Sequence, residues 1–164
     1  MPKVIFLNGP SSSGKTSVAK ELQRILPDAY MHIGIDKIIS MMPDHLNDWQ
    51  GGRAEHGFWW KKRVDAEGNL VCDIMLGDIA KHVSASLKSL VVALLQDGHN
   101  VIIDEVCISK VQAIIWKETL QSFDVLYVGV TADMTTLEAR EKARGNRMVG
   151  SARAQAAIIE FSMT

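Results

Sequence analysis

The sequence has only two cysteines, and Cys72 and Cys107 stand far apart with no CxxC partner. That argues against a disulfide framework or a zinc site, and two reduced thiols in a cytoplasmic protein are expected. Charge of one sign is also lacking. The formal net charge is −1, so no basic field advertises nucleic acid or an anionic membrane as a partner. Long apolar runs are missing too. Val4 to Leu7 is stopped by a polar Asn-Gly-Pro-Ser stretch, too soon for a signal peptide or a membrane span. The longest apolar helix candidate, Ile79 to Leu95, is interrupted by Lys81, His82, Ser84, Ser86, Lys88 and Ser89. No internal repeat, low-complexity segment or guanine-reading Asn-Lys-x-Asp is found, and an oligomeric mechanical ATPase would need more than 164 residues.

What is present suits one globular domain with a real core: 47% of residues are hydrophobic and 23% charged. Val4-Ile5-Phe6-Leu7 reads as a buried strand. Residues 15–26 follow with Val18, Leu22, Ile25 and Leu26 at helical spacing, and Pro27 ends that helix. Tyr30 to Ile35 is a second strand. Residues 78–97 form a long helix, with Ile79, Val83, Leu87, Leu90, Val91 and Leu94 expected on its buried stripe. Val101–Ile103 is a third strand, Ala113 to Leu120 a helix, Val125 to Val130 a fourth strand, and two last helices cover about 134–144 and 151–160. Strands alternating with helices imply an α/β fold with a parallel sheet covered on both faces. The expected strand order is 2-3-1-4, with Val101–Ile103 beside Val4–Leu7. Residues 43–72 break the rhythm. They hold Trp49, Gly51-Gly52 and Trp59-Trp60, and a turn at 65–69 joins Phe58–Val64 to Leu70–Val71 as a hairpin. An insertion there, above the carboxyl ends of the strands, is a candidate substrate cover.

The sharpest motif is Gly9-Pro10-Ser11-Ser12-Ser13-Gly14-Lys15-Thr16, which fits G-x-x-x-x-G-K-[ST] between a strand and a helix. Such a loop turns its N–H groups inward around phosphate oxygens, at the positive end of the helix that follows. Lys15 supplies a charge for the β- and γ-phosphates of ATP, and Thr16 a hydroxyl for Mg²⁺. Val101-Ile102-Ile103-Asp104-Glu105 is an apolar strand ending in two acids. Asp104 either helps to hold Mg²⁺ or caps the next helix, and Glu105 faces substrate if it has a role. Asp36, after the second strand, reads equally well as the base that takes a proton from an attacking hydroxyl or as a plain helix N-cap. Arg140, Arg144 and Arg147 share a helix face. They either close over the transferring phosphoryl group as a lid at 134–150, or form a solvated face paired with Glu138 and Glu141. Trp59 and Trp60 stack on a substrate or anchor the hairpin. Met41 and Met42 suit core, and His32 and His56 have no partners at metal spacing.

Ile5 through Thr16, Gly34-Ile35-Asp36, Ile102 through Val106, Val125 through Val130 and Arg140 through Arg147 together resemble, in order, the chloramphenicol phosphotransferase family. The resemblance implies a P-loop fold like that of nucleoside monophosphate and shikimate kinases, and transfer of the γ-phosphoryl of ATP to a hydroxyl of chloramphenicol. Asp36 would be the base, Lys15 and Thr16 the phosphate and Mg²⁺ ligands, and Arg140, Arg144 and Arg147 the lid arginines. Asn146 stands where the family usually has Asp, and Glu105 where Asp is common. The family pattern continues beyond Thr164 with a strand and a helix, so the sheet is expected to lack that fifth strand and to leave Val125–Val130 at an edge. Dimerisation, or Ile158, Ile159, Phe161 and Met163, would cover it. The alternatives are a kinase of another small hydroxylated metabolite, such as a sugar, a nucleoside or shikimate, and a nucleotide-binding module or relic without catalysis.

Overall fold

The computed structural model describes residues 1–144, 148–156 and 159. The chain runs β1 (Lys3–Asn8), α1 (Lys15–Ile25), β2 (Tyr30–Gly34), α2 (Ile35–Ile39), β3 (Phe58–Val64), β4 (Leu70–Leu76), α3 (Asp78–Gln96), β5 (Asn100–Glu105), α4 (Lys110–Leu120), β6 (Asp124–Gly129), α5 (Met134–Arg144) and α6 (Ser151–Ala156). A short 3₁₀ turn covers Asp44–Leu46.

Four strands form a parallel sheet in the order β2-β5-β1-β6, which is the expected 2-3-1-4 arrangement. Its register sets Phe6 beside Ile103 and Tyr127, and Gly34 beside Asp104. Successive side chains of a strand point to opposite faces. Accordingly, Val4, Phe6, Val101 and Ile103 pack with Leu87, Val91, Trp116 and Leu120 of α3 and α4, while Ile5, Leu7 and Ile102 pack with Ala19 of α1. Both faces are buried, which is why these strands read as unbroken apolar runs.

Some boundaries differ from the sequence expectation. The buried face of α3 is Ala80, Leu87, Val91 and Leu95, whereas Ile79 and Leu90 are 38% and 41% exposed. Ala80 and Leu95 therefore join Leu87 and Val91 on the stripe, with Val83 and Leu94 partly buried beside them, while Ile79 and Leu90 fall outside it. α4 starts at Lys110 because Ser109 caps it, its Oγ accepting from Gln112 N at 3.2 Å. β4 runs on to Leu76, pairing Phe58 with Leu76. This hairpin is a separate antiparallel sheet whose Phe58, Ile74 and Leu76 pack on Met42 and Ala80. Met42 is core and Met41 is 75% exposed. Among the described residues β6 is an edge strand, with Leu126 61% exposed. Ile159 is buried, and Ile158, Phe161 and Met163 lie outside the described residues.

Candidate active site

The loop from Gly9 to Gly14 leaves the carboxyl end of β1 and enters α1, whose N-cap is Gly14 at φ +105°. Ser12 holds φ +64°, a conformation costly for a side-chain-bearing residue and common where a loop wraps a ligand. A Cβ at Gly9 would lie 2.1 Å from the Val130 carbonyl oxygen, so only glycine lets β1 pass that loop. The hydroxyls of Ser11, Ser12 and Ser13 are buried without any hydrogen-bond partner. A buried hydroxyl left unmatched costs free energy, and three at one loop mark a surface built to receive oxygen-rich groups. These orphaned hydroxyls and the loop's strained backbone fit a nucleotide's phosphates. Lys15 Nζ donates to the carbonyls of Gly9 and Pro10 at 2.8 and 2.9 Å, which holds its charge at the loop.

The metal candidates meet. Thr16 Oγ1 donates to Asp104 Oδ2 at 2.6 Å, across 88 residues of chain. His32 Nε2 lies 3.3 Å from the same oxygen, a partner that no sequence spacing announced. Burial by itself would raise the Asp104 carboxyl, but the hydrogen bonds with His32 and Thr16 and the charge of Lys15 outweigh it and hold it below the usual carboxylate value. Asp104 is thus favoured in its ionised form, and it does not cap α4, whose N-cap is Ser109. Among the described residues no group of three or more His, Cys, Asp or Glu forms a metal cage. Mg²⁺ at a phosphate site needs none, since one carboxylate, a hydroxyl and phosphate oxygens suffice, and this pair fits that donor set. Gly34 serves the same spot: a Cβ there would come within 2.2 Å of the Asp104 carbonyl oxygen.

Asp36 is exposed and lies in the first turn of α2, while the N-cap is Gly34, with no side-chain cap bond. The N-cap position thus belongs to Gly34 and not to Asp36. Asp36 lines a cavity of about 250 Å³ together with Lys15, Thr16, Asp104 and Arg144. Its far wall is apolar: Ile39, Trp49, Phe58, Trp60, Leu76 and Trp116. Trp49 stacks on Phe58 with centroids 6.4 Å apart at 17°, and tilts against Trp60 at 6.2 Å. Trp60 is buried, so it both anchors the hairpin and faces the cavity. Two ionisable groups sit within this wall. Lys88 Nζ lies 4.9 Å from the Trp116 ring centre. Burial pushes the Glu105 carboxyl up to about 7, against the opposing pull of the Val106 amide, Lys88 and Lys15.

Arg140 reaches the phosphate loop from α5, its Nη1 donating to the carbonyls of Ser13 and Ser12 at 3.2 and 3.4 Å. Arg144 borders both the cavity and a second groove lined by Ser13, Ser17 and Arg140. Arg147 lies outside the described residues. The acids expected to pair with these arginines do something else. Glu138 binds Arg153 at 2.6 Å. Glu141 is fully buried and accepts from Gly150 N at 2.7 Å, Ala152 N at 2.9 Å and the Ser151 hydroxyl, which fastens α6 to α5. The sequence does not show these roles of Glu141, His32 and Lys88, nor any role for Gln155, whose Oε1 accepts from Ser11 N at 2.6 Å.

Comparison with known proteins agrees with this geometry. The family described as chloramphenicol phosphotransferase-like protein matches residues 2–162. A Mycobacterium tuberculosis protein whose name provisionally makes it an O-phosphotransferase is 33% identical over 163 residues, covering 97% of this chain and 72% of that one. Among solved structures, a chain of an RNA repair complex superposes with a TM-score of 0.64 at 17% identity, covering 94% of this chain and 41% of its own length. A Sinorhizobium meliloti gluconokinase gives 0.57 at 20% identity, covering 97% of this chain and 75% of that one. At such identities these two structures establish the fold alone. No helix among the described residues is long and apolar enough to cross a membrane.

Proposed function

The chain belongs to the chloramphenicol phosphotransferase-like family, and from that premise we propose that it transfers the γ-phosphoryl group of ATP, with Mg²⁺, to a hydroxyl of a small molecule, with chloramphenicol as the first acceptor to try. The observation that carries this reading is one cavity lined at once by the phosphate loop, the Thr16–Asp104 pair, Asp36 and an aromatic wall. The loop amides and Lys15 hold the phosphates. Thr16 and Asp104 would hold Mg²⁺, which when bound would offset phosphate charge. Asp36 takes the proton of the acceptor hydroxyl as its oxygen bonds to the γ-phosphorus; the bond from that phosphorus to the β–γ bridging oxygen breaks, and ADP leaves with the electron pair. Arg140 and Arg144 stabilise charge on the phosphoryl group, and Arg147 is assigned to the same lid at 134–150. The segment 43–72 covers the acceptor.

Lys88 and Glu105 favour a second reading of the acceptor alone. Two ionisable groups in an otherwise apolar wall suit a hydroxylated metabolite with its own polar handle as well as they suit chloramphenicol. Buried reduced thiols at Cys72 and Cys107 accord with a cytoplasmic setting. The test is coupled ADP release with Mg²⁺ and ATP across chloramphenicol, sugars, nucleosides and shikimate. Acceptor-dependent ADP release supports a kinase, and the best acceptor identifies its class. Tight ATP binding with no acceptor-dependent release anywhere in the panel would instead favour a nucleotide-binding module.

A further inference from the structure

Helix α6 is short, yet it is fastened on three sides. Glu141 of α5 takes up the amides of Gly150 and Ala152 at 2.7 and 2.9 Å. Cys72 of the hairpin donates its amide to Gly150 O at 3.1 Å and its thiol to Val149 O at 3.1 Å. Arg153 binds Glu138 at 2.6 Å and lies 4.0 Å from Asp65 in the hairpin turn. These anchors fix where Gln155 points, which is at the phosphate loop. Its Oε1 accepts from the Ser11 amide at 2.6 Å, across 144 residues of chain. Because the loop partner is a donor, the amide oxygen must face it, and the NH₂ end is turned away. Among the described residues no hydrogen bond engages that Nε2.

The position of Gln155 is one-sided. It lines the cavity that holds Asp36, Lys15, Thr16 and Asp104, and does not line the second groove, where Arg140 and Ser17 lie. In the kinase reading, on which this inference rests, the cavity side is where the last phosphate meets the acceptor. We propose that Gln155 is a catalytic residue: its Oε1 steadies the Ser11 amide while its Nε2 donates to an oxygen of the γ-phosphoryl group. Gln155 then tells ATP from ADP and stabilises charge on the group in transit. An amide does both jobs. A carboxylate would keep the acceptor toward Ser11 and lose the donor, and a thioether would lose both. Through its anchors Gln155 also ties the hairpin and α5 to the terminal phosphate.

The experiment is isothermal titration of wild type, Gln155→Glu and Gln155→Met with Mg²⁺·ADP and with a Mg²⁺-bound non-hydrolysable ATP analogue, alongside turnover of the best acceptor. One hydrogen bond to a charged group is worth about 10–100-fold. Gln155→Glu should lower the preference for the ATP analogue over ADP by that factor, lower kcat by at least as much, and leave ADP affinity within about 2-fold, as expected when only a γ-phosphate contact is lost. Wild-type melting temperature and ADP affinity certify the fold. If Gln155→Glu fails that check, Gln155→Met, which removes the donor without adding charge, carries the test. An unchanged ATP-to-ADP preference overturns the assignment. So does tighter ATP-analogue binding by Gln155→Met, which would make Gln155 a plug. If wild type binds neither nucleotide, the kinase reading fails first and this one with it.

Discussion

Replacing Glu105 by Gln tests the electrostatics of the cavity wall. An acid whose pKa rises on folding holds its proton more tightly in the folded chain. Its stabilising contribution is complete below the unfolded value and is lost as pH climbs through the folded one. For Glu105 that window runs from 4.5 to about 7, and burial is the main cause. At about 1.36 kcal/mol per pKa unit, ionising Glu105 in place removes about 3 kcal/mol of stability across the window. Glutamine has nearly the same shape and cannot ionise. The variant should therefore differ little from wild type at pH 5 and be more stable at pH 8. The gain at pH 8 should exceed that at pH 5 by about 2–3 kcal/mol. Urea unfolding at the two pH values, followed by tryptophan fluorescence, measures this. Taking the difference between variant and wild type cancels every other titrating group. A gain that is the same at both pH values would mean that Glu105 meets bulk water and that burial does not govern its protonation.

Other substitutions probe single contacts. Lys15→Ala should weaken ATP by about two orders of magnitude, the weight of two charge-assisted hydrogen bonds, in a chain that still folds; unaltered ATP affinity in a titration would contradict the phosphate-loop reading. Gly34→Ala puts a Cβ 2.2 Å from the Asp104 carbonyl oxygen, so it should cost about 1–3 kcal/mol in urea unfolding and raise the Mg²⁺ concentration needed for turnover. A variant with wild-type stability would mean that β2 and β5 are not packed so tightly there. Glu141→Ala strands two amides and a hydroxyl in the interior, at about 1–3 kcal/mol for each orphaned group. A loss below about 1 kcal/mol would show that α6 is held by other means.

Local signals carried much of this architecture. Val4–Leu7 and Val101–Ile103 are unbroken apolar runs because both faces of the sheet are covered, and the loop from Gly9 to Thr16 is written in consecutive residues. The turn at Asp65 is equally local, its carboxylate gathering the amides of Glu67 and Asn69. What stayed hidden was long-range. Nothing near His32 tells that β2 lies beside β5 in the register that brings it to Asp104. Glu141 looks like any helical surface acid until α6 folds onto it. Lys88 reads as an interruption of an apolar stripe, yet it faces the cavity beside Trp116. Gln155 carries no motif, since its role depends on α6 being anchored to the hairpin and α5 together. The expected stripe of α3 holds at Val83, Leu87, Val91 and Leu94 and fails at its margins for a related reason: Ile79 and Leu90 are apolar, but packing against the sheet and the hairpin selects Ala80 and Leu95 in their place.

Asp36 bears the central claim most directly, because a phosphotransferase needs a proton acceptor at the hydroxyl and a nucleotide-binding module does not. Its place in the first turn of α2, beyond the Gly34 N-cap, means that Asp36→Asn removes a charge without removing a cap. The measurement is kcat of Asp36→Asn with the best acceptor, taken together with the dissociation constant for ATP. Turnover should fall by about 10²–10⁴, the usual scale for loss of a general base, while ATP affinity and melting temperature hold. Near-normal turnover would contradict the mechanism and move the search for a base to Glu105, and a joint loss of turnover and ATP binding would make Asp36 a structural residue of the phosphate site.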